Sequence, residues 1–156
     1  MCEHNDGGAM GLVINQAADM SYRELFSHLE LNDAYENNDP LVAGGPVQKE
    51  RGFVLHSNDK SWETTLQVSN DISITGSKDI LADIANDEGP ESVLIALGYA
   101  GWDAGQLETE IAQNSWLTVP ASKDIIFDLP LEERWTSSAK QLGIDLNLMS
   151  SHAGHA

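Results

Sequence analysis

The sequence predicts a single α+β domain with a largely antiparallel sheet and about four helices. Three observations carry that reading. Short apolar runs of strand length outnumber stripes of helical spacing, and several neighbouring runs are joined by turn residues as hairpins. One run, Val93–Leu97, is apolar at every position, the pattern of a strand covered on both faces. No repeat, low-complexity tract or Gly/Ser linker divides the 156 residues, so residues 1–156 read as one domain.

The elements follow in order. Asn5-Asp6-Gly7-Gly8 is a turn cluster between Cys2–His4 and the apolar run Ala9–Asn15, which predicts an opening hairpin. Ser21 followed by Glu24 is a capping box, and Tyr22, Leu25, Phe26 and Leu29 recur at helical spacing. Asn32–Pro40 is a polar loop. Leu41–Ala43 and Phe53–His56 are strand-like, with Gly44-Gly45-Pro46 between them. Trp62, Thr64, Leu66 and Val68 alternate with polar residues, as do Ile72 and Ile74, and Ser69-Asn70-Asp71 joins them as a hairpin. Ile80, Leu81 and Ile84 mark a second helix, capped by Ser77 and closed by Gly89-Pro90. Asp103 opens a third, carrying Leu107 and Ile111, with Gln106 as box partner. Trp116–Val119 and Ile125–Phe127 read as strands. Asp128-Leu129-Pro130 opens a last helix with Glu132 and Glu133 in its first turn, a stripe of Leu131, Trp135 and Leu142, and Gly143 as its stop.

Charge bounds the function. Twenty-five acidic against eight basic side chains give a net charge of -17, a field that repels phosphate backbones and anionic membranes; it reads first as a solvated acidic surface, with a docking face for a basic partner as the alternative. A single cysteine excludes an intramolecular disulfide, and no leader or spanning segment is visible, so the expected location is cytoplasmic.

Catalytic signatures are missing: no nucleophile elbow, Walker lysine loop, His-Glu-x-x-His or Cys-x-x-Cys occurs. Gly98, Gly101 and Gly105 lack phosphate-loop spacing and read as tight strand–helix packing. His152 and His155 stand in a tail without acidic or thiol neighbours, so no metal or cofactor is expected. Cys2 and His4, two apart on one strand face, suggest a thiolate–imidazole pair, but no third group orients them, and Cys2 reads as an ordinary small side chain. His28 is expected in solvent. His56 ends an apolar run before a turn, where it is equally a site residue and a hydrogen-bond filler. Trp102 and Trp116 read as core, with a stacking face as the other reading.

Several segments together resemble one known family. Cys2-Glu3-His4-Asn5, Gly7-Gly8-Ala9-Met10-Gly11-Leu12-Val13-Ile14-Asn15, Gly44-Gly45-Pro46-Val47, Arg51–His56, Ser77–Ile80, Leu97–Trp102, Gly105–Glu108, Asn114–Leu117 and Ala153–Ala156 are similar, in order and spacing, to the bacterial AlgH/YqgE proteins. The resemblance implies a mixed, strongly bent sheet. It brings a transcriptional-regulator label but no established catalytic residues, so none is assigned. The family's recurring polar and aromatic positions fall here on His4, Asn5, Asn15, His56, Trp102, Gln106, Glu108 and Trp116, the candidate binding cleft. Two departures stand out: Gln16-Ala17-Ala18 replaces a basic residue and proline, and an N-terminal strand segment usual upstream of Cys2 is lacking.

The leading expectation is a non-enzymatic binding or regulatory module, acting through a protein partner or a small ligand. The alternatives are an enzyme of unrecognised type using His4, His56 and Glu108, and a regulator acting directly on DNA, which the charge disfavours.

Overall fold

The computed structural model describes residues 1–144; the His152 and His155 pair lies outside the described residues. The strands are β1 (Glu3–Asn5), β2 (Gly8–Gly11), β3 (Ala17–Ser21), β4 (Pro40–Ala43), β5 (Val47–Ser57), β6 (Thr65–Gln67), β7 (Ile72–Thr75) and β8 (Val93–Asp103). The helices are α1 (Tyr22–His28), α2 (Asp79–Ala85), α3 (Gln106–Ala112) and α4 (Leu131–Gln141), with a π-helical turn at Asp124–Asp128.

The eight strands form one curled sheet in the order β1-β2-β8-β5-β7-β6, with β4 beside β8 and β3 beside β4. Only β4 and β8 run parallel; every other pair is antiparallel. The fold is therefore the α+β class with a mixed, largely antiparallel sheet and, among the described residues, four α-helices.

Strand β8 is the spine. Its first half lies between β4 and β5, and its second half pairs with β2. The change of neighbour occurs at Gly98, whose φ of 75° is a left-handed conformation that L side chains rarely adopt. A Cβ there would stand 2.5 Å from the Gly45 carbonyl oxygen. Leu94 and Ala96 belong to one core, and so does Tyr99, although strict alternation would put it on the other face. Gly98 thus bends the strand and shifts its side-chain phase, opposite an irregularity in β5 between Val47 and Gly52. The expected strand–helix packing of this glycine segment is instead strand bending.

Each sheet face has its own core. One buries Val54 and Ile95 under α1 and α2, through Tyr22, Phe26, Ile80 and Ile84. The other buries Phe53, Leu55, Ile72, Ile74, Leu94 and Ala96, with Ile126, Phe127 and Leu131 packed over part of it. Alternation along β5 and β8 sends adjacent residues to opposite cores, which is why Val93–Leu97 is apolar throughout.

The Ser21 box is present in both directions: the Ser21 hydroxyl accepts from the Glu24 N–H, and the Glu24 carboxylate accepts from the Ser21 N–H. All four helices end alike. Leu31, Glu88, Ser115 and Ile144 donate backbone N–H groups to Phe26, Asp83, Glu110 and Ala139, across left-handed residues Glu30, Asp87, Asn114 and Gly143. These are Schellman closures, and Gly143 stops α4 as expected.

Several expectations are corrected. Ile125–Phe127 is the π-helical turn and not a strand, closed by the Leu129 N–H on the Asp124 carbonyl. Trp116–Val119 is not a strand; it pairs with nothing in the sheet. Ser77 does not cap α2, because its hydroxyl donates to Asp79 and accepts from the Thr64 N–H. β2 stops at Gly11, four residues short of Asn15. In α4 the buried side chain is Arg134, whereas Trp135 is 62% exposed and Leu142 is exposed as well.

Candidate functional site

Most of the expected cleft residues gather at the far end of β8. The β1–β2 hairpin lies along that end, with Ala9 opposite Trp102 and Gly8 opposite Asp103. The close approach requires Gly8, since a Cβ there would sit 2.4 Å from the Trp102 carbonyl oxygen. The chain then turns through Ala104 and Gly105 into α3. Gln106 plays the box partner's role, accepting from the Asp103 N–H at 3.0 Å, although the helix starts only at Gln106 and the Asp103 side chain makes no cap.

Glu110, one turn after Gln106, organises the site. Its Oε1 accepts from the Gln106 amide at 3.0 Å. Its Oε2 accepts from both indole N–H groups, Trp102 at 2.9 Å and Trp116 at 2.7 Å. The two indole rings meet edge to face, with centroids 5.9 Å apart. Trp116 reaches this position because Asn114, in the left-handed region, turns the chain back as α3 ends. The bonds from Trp116, Gln106 and Trp102 hold the Glu110 carboxyl below its usual range. Beside it, the His4 imidazole bonds to the Glu108 carboxylate, and Glu108's own N–H together with His4 keeps that carboxyl low. Asn5 shapes the hairpin turn by accepting from the Gly7 N–H at 2.8 Å, and it lines a hollow of about 260 Å³ with Glu3 and Trp102.

His4, Asn5, Trp102, Gln106, Glu108 and Trp116 therefore share one surface. His56 and Asn15 do not join them. His56 pairs with Val93 at the start of β8, nine residues before Trp102, or up to about 30 Å of extended strand. It is fully buried, with Nδ1 at 2.8 Å from the Ser57 carbonyl, Nε2 at 2.8 Å from the Thr75 hydroxyl, and its ring edge-on to Trp62. Burial pushes its pKa down, against the Ser57 carbonyl and Asp59. Both nitrogens are occupied, so His56 is the hydrogen-bond filler of the two readings. Asn15 is exposed in the segment after β2 and makes no side-chain hydrogen bond among the described residues.

The cysteine reading resolves similarly. Burial raises the Cys2 thiol pKa, and the His4 ring is engaged by Glu108 instead. His28 is exposed, as expected. Among the described residues no group of three His, Cys, Asp or Glu side chains is placed to hold a metal ion, and no helix is long and apolar enough to cross a membrane. Sequence reasoning missed Glu110. The signal was its place four residues after Gln106 and between two tryptophans, which puts all three donors within reach of one carboxylate. Trp116, read as core, is 49% exposed; Leu117 beside it is 69% exposed.

The class is a single-domain α+β fold with a curled, largely antiparallel sheet, whose far end here carries a carboxylate clamped by two indole N–H groups. The chain belongs to the AlgH-like family (DUF179), whose profile matches residues 1–147. It is 54% identical to a UPF0301 protein of Saccharophagus degradans over 157 aligned positions, covering all of this chain and 77% of that one. It is 52% identical to a UPF0301 protein of Thioalkalivibrio sulfidiphilus, covering 84% of that chain. Its fold matches the solution structure of the AlgH protein from Pseudomonas aeruginosa with a TM-score of 0.80 and 47% identity, over 99% of this chain and 82% of the other. A crystal structure of DIP2367 from Corynebacterium diphtheriae, 16% identical with a TM-score of 0.61 over 82% of this chain and 67% of the other, shares the fold alone.

Proposed function

We propose that the chain is a non-enzymatic binding module that docks a protein partner on the Trp102–Trp116 surface. The observation that carries this is the immobilised, half-exposed Trp116. A large apolar side chain in water is ordinarily free to reorient, but here Glu110 and Trp102 hold it while about half of it stays exposed. A pre-ordered aromatic loses little conformational entropy on binding, and such residues anchor interfaces. Exposed Leu117 and Ile111 extend the apolar surface along the same segment. The carboxylates of Glu108 and Asp103 beside it, within a chain of net charge -17, favour a partner whose rim is basic.

The enzyme reading needs His4, His56 and Glu108 to converge. His4 and Glu108 meet in solvent, while His56 is buried at the other end of β8.

The test compares wild type with a Trp116→Ser, Leu117→Ser double variant as immobilised bait in lysate of the source cells. The expected result is a protein retained in proportion to wild-type bait, released by about 0.5 M salt, and lost from the double variant, while both baits melt alike. Identical retention by the two baits overturns the proposal.

A further inference from the structure

The second core is only partly roofed. The π-helical turn and α4 cover one end through Ile126, Phe127 and Leu131. The rest of the concave face opens as a groove of about 560 Å³, within the range of small-molecule sites. Because the sheet curls, strands from both of its ends line this one groove, β1 and β2 on one side and β6 and β7 on the other. Its walls are Met10, Phe53, Leu66, Ile74 and Tyr99, with Phe53 and Tyr99 packed edge to face at 5.6 Å.

Charge then distinguishes the two rims. Arg51 stands at one, its guanidinium carbon 4.9 Å from the centre of the Phe53 ring. Its one side-chain hydrogen bond goes to the neutral Gln48 amide oxygen at 3.3 Å, and among the described residues no carboxylate lies within ion-pair distance of it. It shares this with most of the eight basic side chains, of which only Arg23 is paired to a carboxylate among the described residues. Glu3 stands at the other rim, accepting from the Asn5 amide, and disfavours an anion there.

We infer that this groove binds a small amphipathic carboxylate, its head on the Arg51 guanidinium and its hydrocarbon body against Met10, Phe53, Ile74 and Tyr99. The apolar wall supplies affinity through removal of hydrocarbon from water. The planar guanidinium offers two parallel donors that match a carboxylate, and it lies against Phe53, where the apolar wall begins. The groove shares Glu3 and Met10 with the hollow beside Trp102 but is lined by neither Trp102 nor Trp116, so the Trp116→Ser, Leu117→Ser variant leaves its walls in place.

The test uses decanoate as probe, with decanol as its neutral counterpart, followed by calorimetry and by amide chemical shifts. Decanoate is expected to saturate, moving amides of β2, β5, β7 and β8 around the groove, and decanol to bind roughly tenfold more weakly. Arg51→Gln, at an exposed side chain, is expected to weaken decanoate about tenfold and leave decanol unchanged, with the melting temperature unaltered. Four outcomes overturn the inference: no saturation at millimolar probe, equal affinity for the two probes, an Arg51→Gln variant that binds decanoate normally, or shifts centred elsewhere. So does sedimentation showing that a second copy of the chain already fills the groove.

Discussion

Arg134 offers the sharpest test of how this fold is held together. The side chain is 6% exposed, lies on the inner side of α4, and has no carboxylate partner among the described residues. Its charge is satisfied by backbone oxygens: Nε donates to the Leu129 carbonyl at 3.1 Å and Nη1 to the Ile14 carbonyl at 2.5 Å. One guanidinium thus ties the start of α4 to the segment after β2, 120 residues away. Arg134→Met keeps most of the aliphatic stem and removes both bonds. Hydrogen bonds from a charged donor contribute about 1.5–3 kcal/mol each, and relief of the buried charge offsets part of their loss. The expected net cost is about 2–4 kcal/mol, which for a domain of this size lowers the melting temperature by roughly 5–15 °C. Urea denaturation should move the midpoint without changing the slope. Trp135→Ser, one residue on but 62% exposed, should change stability by less than about 0.5 kcal/mol. A stability for Arg134→Met within 0.5 kcal/mol of wild type, roughly, or a larger loss from Trp135→Ser, refutes the reasoning.

Three further predictions follow from the same structure. Glu30 and Asp87 close α1 and α2 at φ of 55° and 59°, so Glu30→Gly and Asp87→Gly should each stabilise by about 0.5–1 kcal/mol in chemical denaturation; a loss in both would contradict the Schellman assignment. Burial depresses the His56 pKa below its unfolded value near 6.5, so the unfolded chain takes the proton first; stability should be complete above about pH 6.5 and fall as pH drops through the folded pKa. Denaturation across that window should show a shallower slope for His56→Gln, and parallel slopes would exclude His56 as the source. With 25 acids, only eight bases, Arg134 buried and Arg23 paired to Asp33, the chain should not bind duplex DNA. Fluorescence anisotropy in low salt should stay flat to micromolar protein; a saturable, salt-sensitive rise would reverse this.

What the sequence by itself determined was what neighbours along the chain can arrange among themselves. The Ser21 box, the β6–β7 hairpin through Ser69-Asn70-Asp71, the Gly143 stop and the two-sided apolar run Val93–Leu97 all rest on spacing within a few residues. Family motifs added the surface shared by His4, Trp102, Gln106, Glu108 and Trp116. Tertiary structure decided the rest. Ile125–Phe127 has strand propensity, yet Ile126 and Phe127 pack over the second core from outside the sheet and the backbone closes on itself as a π-helical turn. Arg134 and not Trp135 faces inward on α4, where the carbonyls of half-buried Leu129 and Ile14 accept from its guanidinium. Trp116 stayed half in water because the Glu110 carboxylate, itself on the surface, holds its indole N–H there. His56 and Trp102 were parted by the length of one strand: side-chain type is written residue by residue, whereas separation depends on which strands pair with β8 along its course.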